Sequence, residues 1–464
     1  MAATGGDQSA PHPEVDIGRA VRVAVRLGVM MVASGAQSDE AEASMRAVLQ
    51  SAGLSDATAT ISYSTVSVSH IDVRTADTTT AVQTVHAWRP DFNQLAAAAS
   101  LVRSTQEGAT GLVEADARLD DILCQTSPYP AWVRFLSPAL LSFAVTIMFG
   151  GTIGDAVTTL AIGVTIQPAL DIIDRSELPS FFQVVFGVAT TVLTVVLLVK
   201  AGLDIDGSLV LTGSLLRFLP GAALVSGMRD FIASAYLSGL ARLAEVLLVG
   251  AAIAGAASLM LALGEQLDVD IRISTSGRYD WPTAVIVIAG STAVLAYACR
   301  LGVPTRWLAT VVALGATAVM IAQGLTSASA DVRPITRTLI ASLTIGTIGT
   351  LLARRSALPA AIWLVPAILP LLPAPATLLP LLADTQATQE ALQNEALRSA
   401  FAIGVGTASG SVVVATYMRY GRPTLQPVAG AVSTRISALG GSRARRGRDR
   451  TAQPRNGAQS LDST

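Results

Sequence analysis

Residues 208–242 read SLVLTGSLLRFLPGAALVSGMRDFIASAYLSGLAR. The apolar run from Ser208 to Ser226 holds one charged side chain, Arg217, and is interrupted near its middle by Pro220-Gly221. Proline lacks the N–H of a regular helix and clashes with the preceding turn, leaving a carbonyl partnerless. At membrane depth such a carbonyl needs something polar nearby, so a span broken in this way lines a cavity or lies within protein. A second stretch of the same form occurs later, where Leu372-Pro373-Ala374 interrupts residues 357–374.

Working outward, ten apolar stretches follow Pro130, near 131–150, 152–172, 180–199, 208–226, 242–264, 281–299, 306–324, 335–353, 357–374 and 397–418. A spanning helix needs ~20 residues, so the expected class is membrane all-α with ten transmembrane helices. They divide into halves, 131–264 and 281–418, around the polar loop Glu265–Asp280. In each half the fourth helix is the interrupted one. A small-residue helix follows each break: Gly250 to Gly255 after Pro220, Gly404 to Gly410 after Pro373. Five spans reverse the sense of entry, so the halves should form an inverted repeat, the plan of secondary transporters with substrate near the broken helices.

Composition agrees. Of 464 residues, 51% are hydrophobic and 14% charged, with a mean hydropathy of +0.53, against ~25% charged in a soluble domain. Cys124 and Cys299 are the only cysteines, which excludes a disulfide scaffold. A net charge of −1 supplies no basic field for nucleic acid. Lys200 is the single lysine, and with the abundant Ala and Gly this hints at a high-GC bacterial source.

The polar residues gather at the two ends. Residues 1–13 read as a disordered leader without a signal-peptide pattern. Residues 14–128 read as a small α+β domain. An amphipathic helix over 14–33 leads to a second helix with Ser38 as its N-cap and Gly53 at its close. A β-hairpin is expected from 57–72 and 79–88, then helices near 91–107 and 110–125. Residues 423–464 form a basic, disordered tail suited to anionic lipid. Arginines such as Arg134, Arg175, Arg229, Arg242, Arg300, Arg306, Arg354 and Arg355 gather at one side of the spans. The positive-inside rule then places both termini in the cytoplasm of a bacterial cell, in its inner membrane.

At this point the chain resembles the threonine/serine exporter family of bacteria and fungi. Ser34-Gly35-Ala36 with Glu42, Phe149-Gly150-Gly151 with Gly154-Asp155, and Leu219-Pro220-Gly221 through Gly227, Arg229-Asp230, Ser238-Gly239 and Arg242 carry the likeness. It covers roughly residues 14–420. The chain departs from the family pattern at Glu40, where an arginine is usual, near Ala235, where an acidic residue is, and at Pro373-Ala374. The resemblance implies proton-driven efflux of small neutral amino acids, threonine and serine first. Efflux of small carboxylates such as dicarboxylates is the alternative it leaves. A membrane-anchored hydrolase with its chemistry in the N-terminal domain is the reading from another class.

No metal, nucleophile or nucleotide motif is visible, so no cofactor is expected and the chain reads as a non-enzyme. Ionisable residues at membrane depth are the better leads. The candidates for substrate binding or coupling are Asp155, Gln167, Arg217, Pro220, Gly221, Arg229, Asp230 and Pro373. Asp155 could carry the coupling proton or cap a helix; Arg217 could bind substrate or snorkel. Arg229-Asp230 could be functional or a juxtamembrane ion pair. The glycine pairs Gly150/Gly154 and Gly406/Gly410 read first as close helix packing. The expected partners are a small amino acid, protons and lipid; the oligomeric state is open.

Overall fold

The computed structural model describes residues 16–72, 76–86, 88–176, 178–271, 279–328, 332–372 and 386–420. The leader, the tail and Pro373 lie outside the described residues. Two units divide after Val414; apart from the last residues of the final helix, everything discussed below lies in the first.

The N-terminal domain opens with α1 (Ile17–Ala33), whose first turn is capped by the Asp16 carboxylate accepting from Arg19 N at 2.9 Å. One face of α1 carries Ala20, Val23, Ala24, Leu27, Met31 and Val32, all sequestered. Gly35, with φ of +99°, turns the chain into α2 (Ser38–Ser51). The capping residue of α2 is Gln37, not Ser38; Ser38 is the first helical residue, and its side chain is engaged elsewhere. The expected hairpin is instead a three-stranded antiparallel meander, β1 (Thr58–Ser62), β2 (Thr65–Ile71) and β3 (Thr78–Thr84). The extra turn falls at Tyr63, whose φ of +49° reverses the chain inside the first segment. Ala59, Ile61, Val66 and Val68 alternate onto the buried face, where α1 packs. The domain closes with α3 (Phe92–Gln106), capped by Asp91, and α4 (Leu112–Cys124).

The apolar helices follow: α5 (Ala131–Met148), α6 (Ile153–Asp174), α7 (Ser180–Lys200), α8 (Gly207–Leu215), α9 (Gly221–Ile232), α10 (Tyr236–Gln266), α11 (Thr283–Arg300), α12 (Thr305–Ala328), α13 (Pro334–Ser356), α14 (Ala361–Ala367) and α15 (Gln386–Tyr420). By length and composition eight of the described helices can cross a membrane. Gly207–Phe218 and Gly221–Ile232, bent by 53°, make a ninth as one broken span. The expected stretch at 357–374 appears as Ala361–Leu371, short for a crossing by itself. Large apolar side chains such as Leu247, Leu259, Phe186 and Ile288 face outward, which suits lipid rather than water.

Helix pairing is similar in the two halves. Helix α5 packs against α6 and α8, as α11 packs against α12 and α14. Helix α7 packs on α10, and α13 packs on α15, with Gly346 against the backbone of Thr407 and Gly410 against Thr347. Helices α5 and α11, first in their halves, lie against each other. Gly406 and Gly410 therefore serve close packing, whereas Gly250 and Gly255 meet no atom within 4 Å.

Candidate functional site

Both interrupted helices stop by the same local route. Helix α8 tightens into a 3₁₀ turn at Leu216–Phe218, and Leu219 is extended (φ −68°, ψ 131°) before Pro220. Helix α14 tightens into a 3₁₀ turn at Leu369–Leu371, and Leu372 is extended (φ −62°, ψ 134°). An extended residue is what a following proline imposes. The two breaks touch: a Cβ on Gly221 would lie 2.9 Å from a methyl carbon of Leu372, so a larger residue there would have to push the Leu372 side chain aside.

A cavity of about 200 Å³ opens beside the first break, lined from α5, α6, α7, α11 and the 3₁₀ turn. Its polar chain runs from Arg217 Nη2, donating to Gln167 Oε1 at 2.5 Å, to Gln167 Nε2, donating to Asp171 Oδ1 at 2.7 Å. Arg217 Nη1 is sealed from solvent without a partner. At the rim Asp174 and Arg300 approach to 3.8 Å, both about half exposed. The cavity thus has a cation inside and carboxylates beside it. Gln167, Asp171 and Asp174 lie along one face of α6, a helical spacing that could have signalled the lining; Gln183 and Arg300 carry no such signal.

Asp155 sits at the other end of the helices. Its carboxylate accepts from Thr152 N (2.9 Å), Thr152 Oγ1 (2.8 Å) and, across 51 residues, Asp206 N (2.8 Å). Thr152 is the N-cap and Asp155 the third residue of a capping box. These contacts support the capping role.

Arg229 and Asp230 do not pair with each other, because adjacent residues on a helix point apart. Asp230 is wholly buried and instead lies 3.1 Å from Arg242 Nε. It also accepts from the N–H and hydroxyl of Ser38, at 3.4 and 3.3 Å. Arg242 Nη2 donates to Ala36 O at 3.3 Å and its guanidinium lies over Trp88. Ser238 Oγ accepts from Tyr63 N at 2.9 Å. The segments Ser34–Glu42 and Arg229–Arg242 are thereby the two sides of one joint between the N-terminal domain and the helices. The joint continues through Phe92 N to Leu301 O (2.8 Å), Tyr129 Oη to Val303 O (2.6 Å) and Arg103 Nη2 to Ser356 O (2.9 Å). Asp155, the Arg217 cavity and the Asp230 joint are three separate places; the cavity gathers Gln167 and Arg217, whereas Pro220 and Gly221 are not among its lining residues.

A family model for threonine/serine exporters matches residues 22–264, more than half of the chain. The chain belongs to the threonine/serine exporter family. A second model of that family, "Threonine/Serine exporter, ThrE", matches residues 286–417. A Mycobacterium tuberculosis (H37Rv) protein named "Probable threonine/serine exporter" is 27% identical over 86% of this chain and 76% of its own length. The "Threonine/serine exporter" of Corynebacterium glutamicum is 27% identical over 85% of this chain and 80% of its own. No solved structure matches. The family is one of multi-pass membrane transporters rather than enzymes.

Proposed function

We propose that this exporter-family chain moves small neutral amino acids, threonine and serine first, out of the cell by proton-driven secondary transport. The observation that carries the substrate reading is the Arg217 cavity. Its unpartnered Nη1 is suited to the carboxylate of an amino acid, as a charge-assisted bond. Asp174 lines the cavity and Asp171, on the same helix, accepts from the lining Gln167, so the site offers carboxylates for an ammonium group. A dicarboxylate would bring two negative charges toward that acidic face, so the zwitterion is the better fit. The cavity is smaller than the roughly 300–1,000 Å³ of drug-sized pockets, in keeping with a small substrate.

The recurring helix pairs and the two matching breaks support the five-plus-five inverted repeat, with the short α14 segment as part of a tenth span. Alternating access then follows as rocking of one half against the other around the touching breaks. The N-terminal domain docks at the same end as Arg229, Arg242 and Arg300, which supports a cytoplasmic N-terminus. Alkaline phosphatase fused after Glu265 should be active and a fusion after Arg355 silent; the reverse would overturn the orientation.

The substrate reading is tested with purified chain in vesicles. Threonine and serine should be transported and should compete with each other, while succinate should not compete. Succinate transport without threonine transport would overturn the amino-acid reading.

A further inference from the structure

Besides Asp230, the joint between the N-terminal domain and the helices contains a carboxylate that neither the substrate cavity nor the helix caps use. Glu40, on the first turn of α2, reaches across to the loop before α14, where Oε1 accepts from Ala360 N at 3.1 Å. Its other oxygen, Oε2, is sealed from solvent and has no hydrogen-bond partner. Across the joint on α9, Arg229 Nη1 is likewise sealed and unpartnered. The charged and titratable groups facing Glu40 are Asp39 on its own helix and Arg229 and Asp230 on α9; Asp230 is already held by Arg242 and Ser38. Helix α14 offers an N–H and no charge.

A lone buried carboxylate oxygen is costly while charged and much less so when neutral. The groups that bury Glu40 come from α9 and the loop before α14, so separating the domain from the helices returns it to water. We propose that Glu40 is a proton-binding site at this joint: taking up a proton seats the N-terminal domain on the helices, and releasing it loosens that grip.

Burial is the largest cause acting on Glu40 and pushes its carboxyl up from 4.5 to about 7, against the opposing pull of Arg229 and the Ala360 N–H. The direction of the pH effect follows. A carboxyl whose affinity for protons is higher when seated favours seating at low pH. That advantage is complete below 4.5, falls as pH rises through the interval to about 7, and is gone above it. Between pH 5 and pH 8 the seating equilibrium should weaken on the order of a hundredfold. Because seating ties α2 to both α9 and the α14 loop, the proton acts where the two halves meet.

The test needs no substrate, so its failure leaves the transport reading untouched. Cys124 is exposed and Cys299 buried. Spin labels on Cys124 and on an introduced Leu203→Cys report the distance between the domain and the far end of the helices. In full-length protein in nanodiscs, the distance distribution should be narrow at pH 5 and gain a longer, broader population up to pH 7, with no further change to pH 8. Glu40→Gln, uncharged at every pH and of the same shape, should stay narrow throughout. Glu42→Gln, on the same helix but bonded within the domain to Ile61 N, should follow the parent. A distribution in the parent that does not change from pH 5 to pH 8 overturns the proposal, as does a Glu40→Gln profile identical to the parent's.

Discussion

Leu219 and Leu372 hold the same extended backbone ahead of a proline, each after a 3₁₀ turn, yet the side chains around them have little in common. The first break carries Ser208, Thr212, Ser214 and Arg217, and beside it lies the cavity with Gln167. The second, Ala361 to Leu372, is apolar throughout and almost wholly buried, with Trp363 packed edge-on against Trp307. Its polar contact is made by backbone, the Ala360 N–H that Glu40 accepts. Two breaks of one backbone form thus sit in different surroundings, and the first has the polar cavity beside it. The other holds the domain.

Mutations can break this contrast. The largest effect on stability is expected at the second break: Trp363→Ala should cost about 3–5 kcal/mol, seen as a large fall in thermal midpoint in detergent, while threonine affinity in the surviving folded protein is unchanged. An altered substrate preference instead would place recognition at both breaks. At the first, Arg217→Gln should weaken threonine binding by about 30-fold or more, equivalent to at least ~2 kcal/mol for a buried charge partner. Unchanged binding would reduce Arg217 to a snorkelling residue. Pro220→Ala restores a helical N–H, so it should slow transport roughly tenfold, ~1.4 kcal/mol on the barrier, with insertion intact; wild-type rates would remove the break from the mechanism.

Asp155→Asn sharpens the contrast between the two ends of the helices. Asparagine still caps but loses the charge in three hydrogen bonds, so stability should fall by about 1–2 kcal/mol with pH-driven flux retained. Loss of pH-driven flux from a folded variant, with exchange at equal pH preserved, would make Asp155 the coupling carboxylate.

The interrupted helix, eight long apolar helices and the four helices of the N-terminal domain were legible because proline, hydropathy and capping residues act locally, whereas the stretch at 357–374 is a helix too short to count as a span by itself. What was not legible depends on partners far along the chain. The turn at Tyr63 uses no glycine or proline, so nothing in 57–72 announced a third strand. Ser38 looked like a cap because its acceptor, Asp230, lies 192 residues away. For Asp155 the sequence left cap and coupling carboxylate both open, because its Asp206 donor is not in its own helix. Arg229-Asp230 looked like a pair because sequence adjacency resembles proximity, although a helix turns neighbours apart.

The bond from Ala360 N to Glu40 spans 320 residues, and this has a consequence during synthesis. At about 5–20 residues per second, the ribosome completes α2 between about 16 and 64 s before it makes the loop that α2 must grip. The partners of Ser38 and Tyr63, Asp230 and Ser238, follow 192 and 175 residues later, so the partner of Glu40 is the last of the three to be made. Docking is therefore a stepwise assembly event, and a chain truncated before Ala360 would keep the Asp230 and Ser238 contacts but lack the Glu40 bond.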